Sequence, residues 1–296
     1  MNYEEGCRMP IDEWLVLNRI GIFENPSLRR YVSPFPPPEL MGITSGLQSE
    51  TGFAAHGADI YAALALASTI PITEYRHILD FGCGCGRLAR MLKGHPHKIS
   101  GCDIDLRHVK WIGQSLDFMN VKLSSVRPPI PFADDEMDAV ISVSIFTHLT
   151  ENSQDDFLAE LFRVTRPGGT LFLTVHGAQA LKRACHEQPI RHMLDMDEGR
   201  FRKAQQAFNQ NKHGFVLQFG HLTTKPEKAF YTPRAIFRRI RDSFSRKTIN
   251  MPFEYGIAFH PESYIREHWS KWFDILDYRH GAIHQFQDIV VLSPKK

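Results

Sequence analysis

The chain has 296 residues, 43% of them hydrophobic, with 35 Lys and Arg against 33 Asp and Glu. That length buries a substantial core and favours one large decorated domain over two equal ones. Five cysteines (Cys7, Cys83, Cys85, Cys102 and Cys185) match neither a disulfide framework nor a zinc-ligand spacing, so no metal site is expected.

The first residues, Met1-Asn2-Tyr3-Glu4-Glu5, carry neither the basic nor the apolar stretch of a secretory signal. The longest mainly apolar run, Ile60 to Ile70, is too short to span a bilayer. A cytoplasmic protein without a membrane partner is expected. Residues 1–50 are irregular, aromatic and proline-rich, including Pro34-Phe35-Pro36-Pro37-Pro38. They exclude one continuous helix and suggest an arm over the active site.

From Thr51 to Ile70, Phe53, Ile60, Tyr61, Leu64 and Leu66 among alanines predict a helix. Strands are predicted near 77–81, 98–103, 121–124, 138–143 and 170–175, alternating with helices near 87–93, 105–118 and 153–165. That alternation implies an α/β fold with a parallel sheet covered on both faces. Residues 51–176 form the expected core, and 261–296 complete it with strands at about 273–280 and 286–292.

The intervening stretch, 177–260, is far longer than an ordinary connection and predicts an insertion with structure of its own. Between 177 and 250 it holds 15 Lys and Arg against 6 Asp and Glu. Arg234, Arg238, Arg239 and Arg241 cluster on one predicted helix. Such a face is either simply solvated or a lid that attracts an anionic substrate. Nucleic acid is disfavoured because no recognised binding module accompanies the charge.

The run Ile78-Leu79-Asp80-Phe81-Gly82-Cys83-Gly84-Cys85-Gly86 carries the chemistry. Apolar residues form a buried strand that presents Asp80 at its end, and the glycines let the backbone turn and approach a ligand closely. A nicotinamide-binding turn wants a third glycine where Arg87 stands, so a dinucleotide is disfavoured. The next strand ends at Asp103, 17 residues after Gly86. A carboxylate there can accept hydrogen bonds from vicinal ribose hydroxyls. Asp105 is expected to cap the helix that follows.

The acid-x-Gly-x-Gly-x-Gly spacing resembles the first motif of class I S-adenosylmethionine (SAM)-dependent methyltransferases. Pro129 to Val140, Ile141 to Leu149 and the Arg166-Pro167-Gly168-Gly169 turn stand in that superfamily's order and spacing. The resemblance covers roughly 75–177 and again 261–293. Gly101-Cys102-Asp103-Ile104-Asp105, Phe146-Thr147-His148-Leu149, Thr174-Val175-His176-Gly177 and Tyr255-Gly256-Ile257-Ala258-Phe259-His260 look like bacterial methyltransferases associated with glycan and small-metabolite pathways.

The resemblance implies a Rossmann-like, mostly parallel seven-stranded sheet with an antiparallel last strand and helices on both faces. It also implies SAM as cofactor, held by Asp80, Gly82, Cys83, Gly84, Gly86, Asp103, Ile104 and Ser144. Many relatives place an acid at the end of the third strand to hold the adenine amino group. This chain has Leu123-Ser124-Ser125-Val126 there, which leaves adenine to Ser125, backbone groups, or Pro131 and Phe132.

If the methyl acceptor is a hydroxyl, a general base assists. His148, just past the fourth strand, and His176, just past the fifth, are the candidates, with His260 and Tyr31 behind them. The favoured activity is methylation of a small polar metabolite, on an oxygen of a sugar or related compound. Sulfur or nitrogen methylation is the enzymatic alternative, a non-catalytic SAM-binding protein with an anionic partner is another, and a homo-oligomer is compatible with all of them.

Overall fold

The computed structural model describes residues 9–196, 198–219 and 254–296. Arg234, Arg238, Arg239 and Arg241 lie outside the described residues. Seven strands form the central sheet: β1 (His77–Phe81), β2 (Lys98–Asp103), β3 (Met119–Leu123), β4 (Met137–Ser142), β5 (Thr165–Val175), β8 (Phe273–Ile283) and β9 (Gln287–Pro294). Their order across the sheet is β3-β2-β1-β4-β5-β9-β8. β1 to β5 pair in parallel, and β9 runs antiparallel to both β5 and β8. This is the mostly parallel sheet with an antiparallel last strand that the sequence implied.

Every residue of β1 and β4 is buried, which is why these strands read as near-continuous apolar runs. Helices cover both faces. On one, α3 (Glu50–Ala67) and α4 (Leu106–Ser115) bury Ile60, Leu64 and Ile112 against Ile78, Ile99 and Ile141. On the other, α5 (Glu151–Val164) and α9 (Glu262–His268) bury Phe157, Leu161 and Ile265 against Leu79, Leu171 and Val290. The Asp105 carboxylate caps α4 by accepting from the Arg107 amide at 2.8 Å.

Three local expectations differ from what forms. The helix predicted over 87–93 is only a 3₁₀ turn at Ala89–Leu92. It is confined between Gly86 at φ +90° and Gly94 at φ +83°, too short a span for a stable helix. The Arg166 to Gly169 turn is absorbed into β5 as a bulge. Met137 pairs with Thr165, but Ala139 pairs with Thr170, so the intervening residues loop out of register. The third strand also begins earlier than predicted, at Met119.

The N-terminal residues build a string of short helical turns, including α1 (Ile11–Val16) and α2 (Pro38–Ser45). Arg90 anchors them, donating from Nη2 to the Ser33 carbonyl at 2.6 Å and from Nε to the Pro34 carbonyl at 3.2 Å. Trp14 Nε1 donates to the Met91 carbonyl at 3.0 Å. After β5, helices α6 (Ala178–His186), α7 (Gln188–Met193) and α8 (Glu198–Asn209) accompany a two-stranded antiparallel sheet of β6 (Gly214–Phe219) and β7 (Tyr255–Phe259). Ala180, Leu181, Phe201, Val216 and Ile257 form a separate small core there. Among the described residues no helix is long and apolar enough to cross a membrane.

Candidate active site

Strand order reverses between β2-β1 and β4, and a cleft of about 420 Å³ opens beyond the carboxyl ends of these strands. That is where open α/β sheets bind ligands, and the volume suits a nucleoside-sized molecule. Asp80 lines it from β1, Gly82, Cys83 and Gly84 from the turn that follows, Asp103 from the end of β2 and Ile104 just beyond it. Ser125 follows β3, and Ser144 and His148 follow β4.

The glycines are required here. Gly84 has φ +53°, and a Cβ on it would stand 2.5 Å from Thr44 Cγ2. Gly82 has φ +74°, and its Cβ would meet Ile145 Cγ1 at 2.5 Å. The loop is thus bare backbone, able to approach a ligand. Ser144 holds the same left-handed region at φ +63° without being glycine. Its amide donates to Thr174 Oγ1 at 2.7 Å, and its hydroxyl pairs with the Gln287 side chain, which offsets that strain.

Asp103 Oδ2 accepts from the Gly84 amide at 2.8 Å, and Oδ1 accepts from the Asp105 amide at 2.8 Å. The carboxylate is fixed against the glycine loop, with lone pairs remaining for a ligand. Asp80 lies deeper. Burial pushes its carboxyl up to about 7, with the Arg87 charge opposing and Asp103 adding to the rise. Burial also raises the thiols of Cys83, Cys85 and Cys102, so they stay protonated at neutral pH and none offers a ready thiolate.

His148 sits between the sheet and β7. Its Nδ1 lies 2.8 Å from the Gly256 carbonyl, and its ring stacks on Tyr255 with centroids 4.5 Å apart. A carbonyl only accepts, so Nδ1 carries the proton and Nε2 keeps the lone pair. Burial lowers the ring to about 4, the Gly256 bond opposing, and it is neutral at physiological pH.

Other expected residues lie elsewhere. His176 does not line the cleft: its ring is buried against Phe259 and Phe286, and burial lowers it to about 3. His260 is fully buried, its Nε2 2.8 Å from Gln154 Oε1, and Tyr31 is buried in the N-terminal segment. Gly86 does not line the cleft either. It serves the loop's curvature at φ +90°, facing Leu116 and Ile112. Pro131 and Phe132 turn away to Lys122, which donates to the Pro131 carbonyl at 2.8 Å and sits over the Phe132 ring.

Sequence reasoning missed Thr44, Arg107, His108 and Tyr255, all of which line the cleft. Thr44 and Tyr255 come from distant parts of the chain, and no local pattern announces them. Arg107 and His108 had a signal, standing in the first turn after the capping Asp105.

The sheet order and the glycine-rich cleft are those of a Rossmann-like α/β fold with a ligand site at its switch point. Residues 79–173 match the methyltransferase domain family, and the chain is similar there to SAM-dependent methyltransferases. A probable S-adenosylmethionine-dependent methyltransferase of Mycolicibacterium smegmatis is 29% identical over 102 residues, covering 33% of this chain and 37% of that one. A tRNA (carboxymethyluridine(34)-5-O)-methyltransferase of Arabidopsis thaliana is 34% identical over 104 residues, covering 34% of this chain and 24% of that one. The chain thus matches well under half the length of these two relatives. The crystal structure of the PH0226 protein from Pyrococcus horikoshii OT3 shares the fold. Its TM-score is 0.52 at 13% identity, covering 81% of this chain and 92% of that one.

Proposed function

We propose that the protein transfers a methyl group from SAM to an oxygen of a small polar, anionic metabolite in the cytoplasm, a sugar or related compound being the leading acceptor. The observation that carries the oxygen is His148. Gly256 pins the ring's proton on Nδ1, and the neutral Nε2 is left to receive a hydroxyl's hydrogen bond. The plant relative's name also specifies an oxygen acceptor. The excess of basic residues between 177 and 250 supports an anionic substrate.

The residues present fit SAM. The wall at Gly82 and Gly84 carries no side chain, and Asp103 retains acceptor capacity for the two ribose hydroxyls. Ile104 and Ser125 line the same cleft and would flank the nucleoside, with Asp80 at its floor. When bound, SAM supplies a methyl group on a positively charged sulfur. His148 Nε2 would orient the acceptor hydroxyl and take its proton. Tyr255 and the backbone of β7 hold that ring in place, so orientation supplies much of the rate.

In this reading residues 1–50 are an arm over the cofactor, and 177–260 an insertion that shapes the acceptor end. Calorimetry with S-adenosylhomocysteine, followed by a mass screen of metabolites and tRNA for the gain of one methyl group, tests it. Binding plus methylation of an alcohol supports the proposal. Methylation confined to thioethers or amines overturns the oxygen assignment, binding without transfer to any candidate points to a non-catalytic role, and absence of binding removes the whole reading.

A further inference from the structure

Three side chains stand in a row along the rim of the cleft. Thr44 Oγ1 lies 3.4 Å from His108 Nε2, and His108 Nδ1 lies 3.3 Å from Asp103 Oδ1. A carboxylate accepts, so Nδ1 bears a proton, and Nε2 is the ring atom turned to Thr44 Oγ1. The same oxygen accepts from the Cys85 amide, and its hydroxyl donates to Cys85 Sγ, both at 3.1 Å.

The consequence joins three separate pieces of chain. Thr44 stands at the end of α2, Cys85 in the glycine loop, and His108 in the first turns of α4. His108 is buried, and the Asp103 side chain is only 12% exposed. The carboxylate therefore has little freedom of its own, and its orientation depends on the groups around it. Two of these are backbone amides, from Gly84 and Asp105, and the third is His108. The His108 ring and the glycine loop both meet the N-terminal segment at Thr44.

We infer that Thr44 and His108 are positioning residues for the cofactor, acting through Asp103: the N-terminal segment completes the ribose-binding carboxylate from outside the sheet. The inference rests on the reading that Asp103 holds the ribose. Thr44 orders His108, His108 occupies Oδ1 from one side, and the remaining lone pairs of Asp103 are turned to the cleft. Loss of the Thr44 hydroxyl removes the partner of Nε2 on a buried ring and lets the ring turn.

The test is calorimetric, with S-adenosylhomocysteine titrated into the full chain. Thr44→Val is expected to weaken binding about three- to tenfold, the range a single net hydrogen bond spans. Thr44→Ser restores the hydroxyl and should fall within about twofold of the wild type. His108→Leu should weaken binding at least as much as Thr44→Val. The deciding measurement is made in an Asp103→Ala background, where Thr44→Val should cost nothing further, because its effect runs through the carboxylate.

A Thr44→Val penalty of the same size with and without Asp103 would overturn the inference, since the threonine would then act by direct contact or by loop packing. Unchanged affinity in Thr44→Val would overturn it too. If the wild type binds but Asp103→Ala binds equally well, the ribose assignment itself fails, which the wild-type and single-variant titrations separate from failure of the row. Thermal unfolding of each variant identifies any that lose binding by losing the fold, and for such a variant Thr44→Ser carries the comparison.

Discussion

Arg87 Nη1 lies 2.9 Å from His56 Nδ1, and a guanidinium can only donate, so His56 must keep a lone pair there. The imidazole is neutral by construction. Burial lowers it to about 3, with Arg87 and then His284 adding to the effect. His284 lies against the His56 ring, tilted by 38° with centroids 4.2 Å apart, and pairs in turn with Asp59 at 3.1 Å. Arg87 is held in this way at the floor of the cleft, where its charge favours the ionised form of Asp80.

Stability should fall on acidification below pH ~6.5, the ordinary histidine value. His56, His148, His176 and His213 are lowered to about 3, 4, 3 and 4, each chiefly by burial. Between those values and 6.5 the unfolded chain binds protons that the folded chain refuses, so the folded state loses ground as pH drops. Each such group contributes up to about 1.4 kcal/mol per pH unit in its window. Asp80, raised to about 7, acts in the opposite sense: its protonated form favours the fold between its ordinary value and 7. Four histidines outweigh it, and urea unfolding at pH 5 should show a lower midpoint than at pH 7. A midpoint that rises on acidification would contradict the balance.

Gly84→Val should abolish cofactor binding. The substituted residue would be strained at φ +53°, and its Cβ would stand 2.5 Å from Thr44 Cγ2. Either the loop moves or the N-terminal segment lifts away, and both spoil the cleft. Titration with S-adenosylhomocysteine reads the loss; retained affinity would show that the loop does not contact the cofactor.

Asp103→Ala should weaken binding by about 1–3 kcal/mol, the cost of removing hydrogen bonds to a charged acceptor. The same substitution frees the amides of Gly84 and Asp105, so part of the loss comes from loop order. A variant lacking only the cofactor's ribose hydroxyls as partners would isolate the rest: deoxyribose analogues of S-adenosylhomocysteine should lose affinity for the wild type and little for Asp103→Ala.

The glycine loop was legible because its demand is local: alternating residues without a Cβ answer backbone angles that other residues resist. The sheet was legible for a similar reason, since buried parallel strands leave apolar runs such as Ile78-Leu79 and Ala139-Val140-Ile141. Residues brought by tertiary packing left no such trace. Tyr255 reaches the cleft on β7, more than a hundred positions after His148, and Thr44 reaches it from α2. The place of His176 after β5 suggests the cleft edge. Phe259 and Phe286, from β7 and the β8–β9 turn, enclose it instead. The helix expected after the glycine loop shrank to a 3₁₀ turn because Gly86 and Gly94, both at positive φ, bound it closely.

His148→Gln should lower turnover far more than cofactor affinity, by about 10²–10⁴-fold if the ring acts as general base. Glutamine can still bond the Gly256 carbonyl through its amide but cannot take a proton. Steady-state kinetics on the acceptor, set beside calorimetry with S-adenosylhomocysteine, separates the two effects. Equal losses in both would make the ring a support for β7 and nothing more.

Arg90→Met should detach the N-terminal segment without emptying the core. The guanidinium is 1% exposed, donates to the Ser33 and Pro34 carbonyls, and lies 3.7 Å from the Phe35 ring centroid. Methionine keeps an apolar stem in contact with Phe35 but leaves two carbonyls without their donor, at a cost of about 1–3 kcal/mol. Thr44 lies on the same segment, so the damage should reach the cofactor. Faster proteolytic cleavage before residue 45, together with weaker S-adenosylhomocysteine binding, is the expected pair of outcomes. Faster cleavage with unchanged binding would mean that the segment covers the cleft without shaping it, and that the glycine loop and Asp103 hold the cofactor unaided.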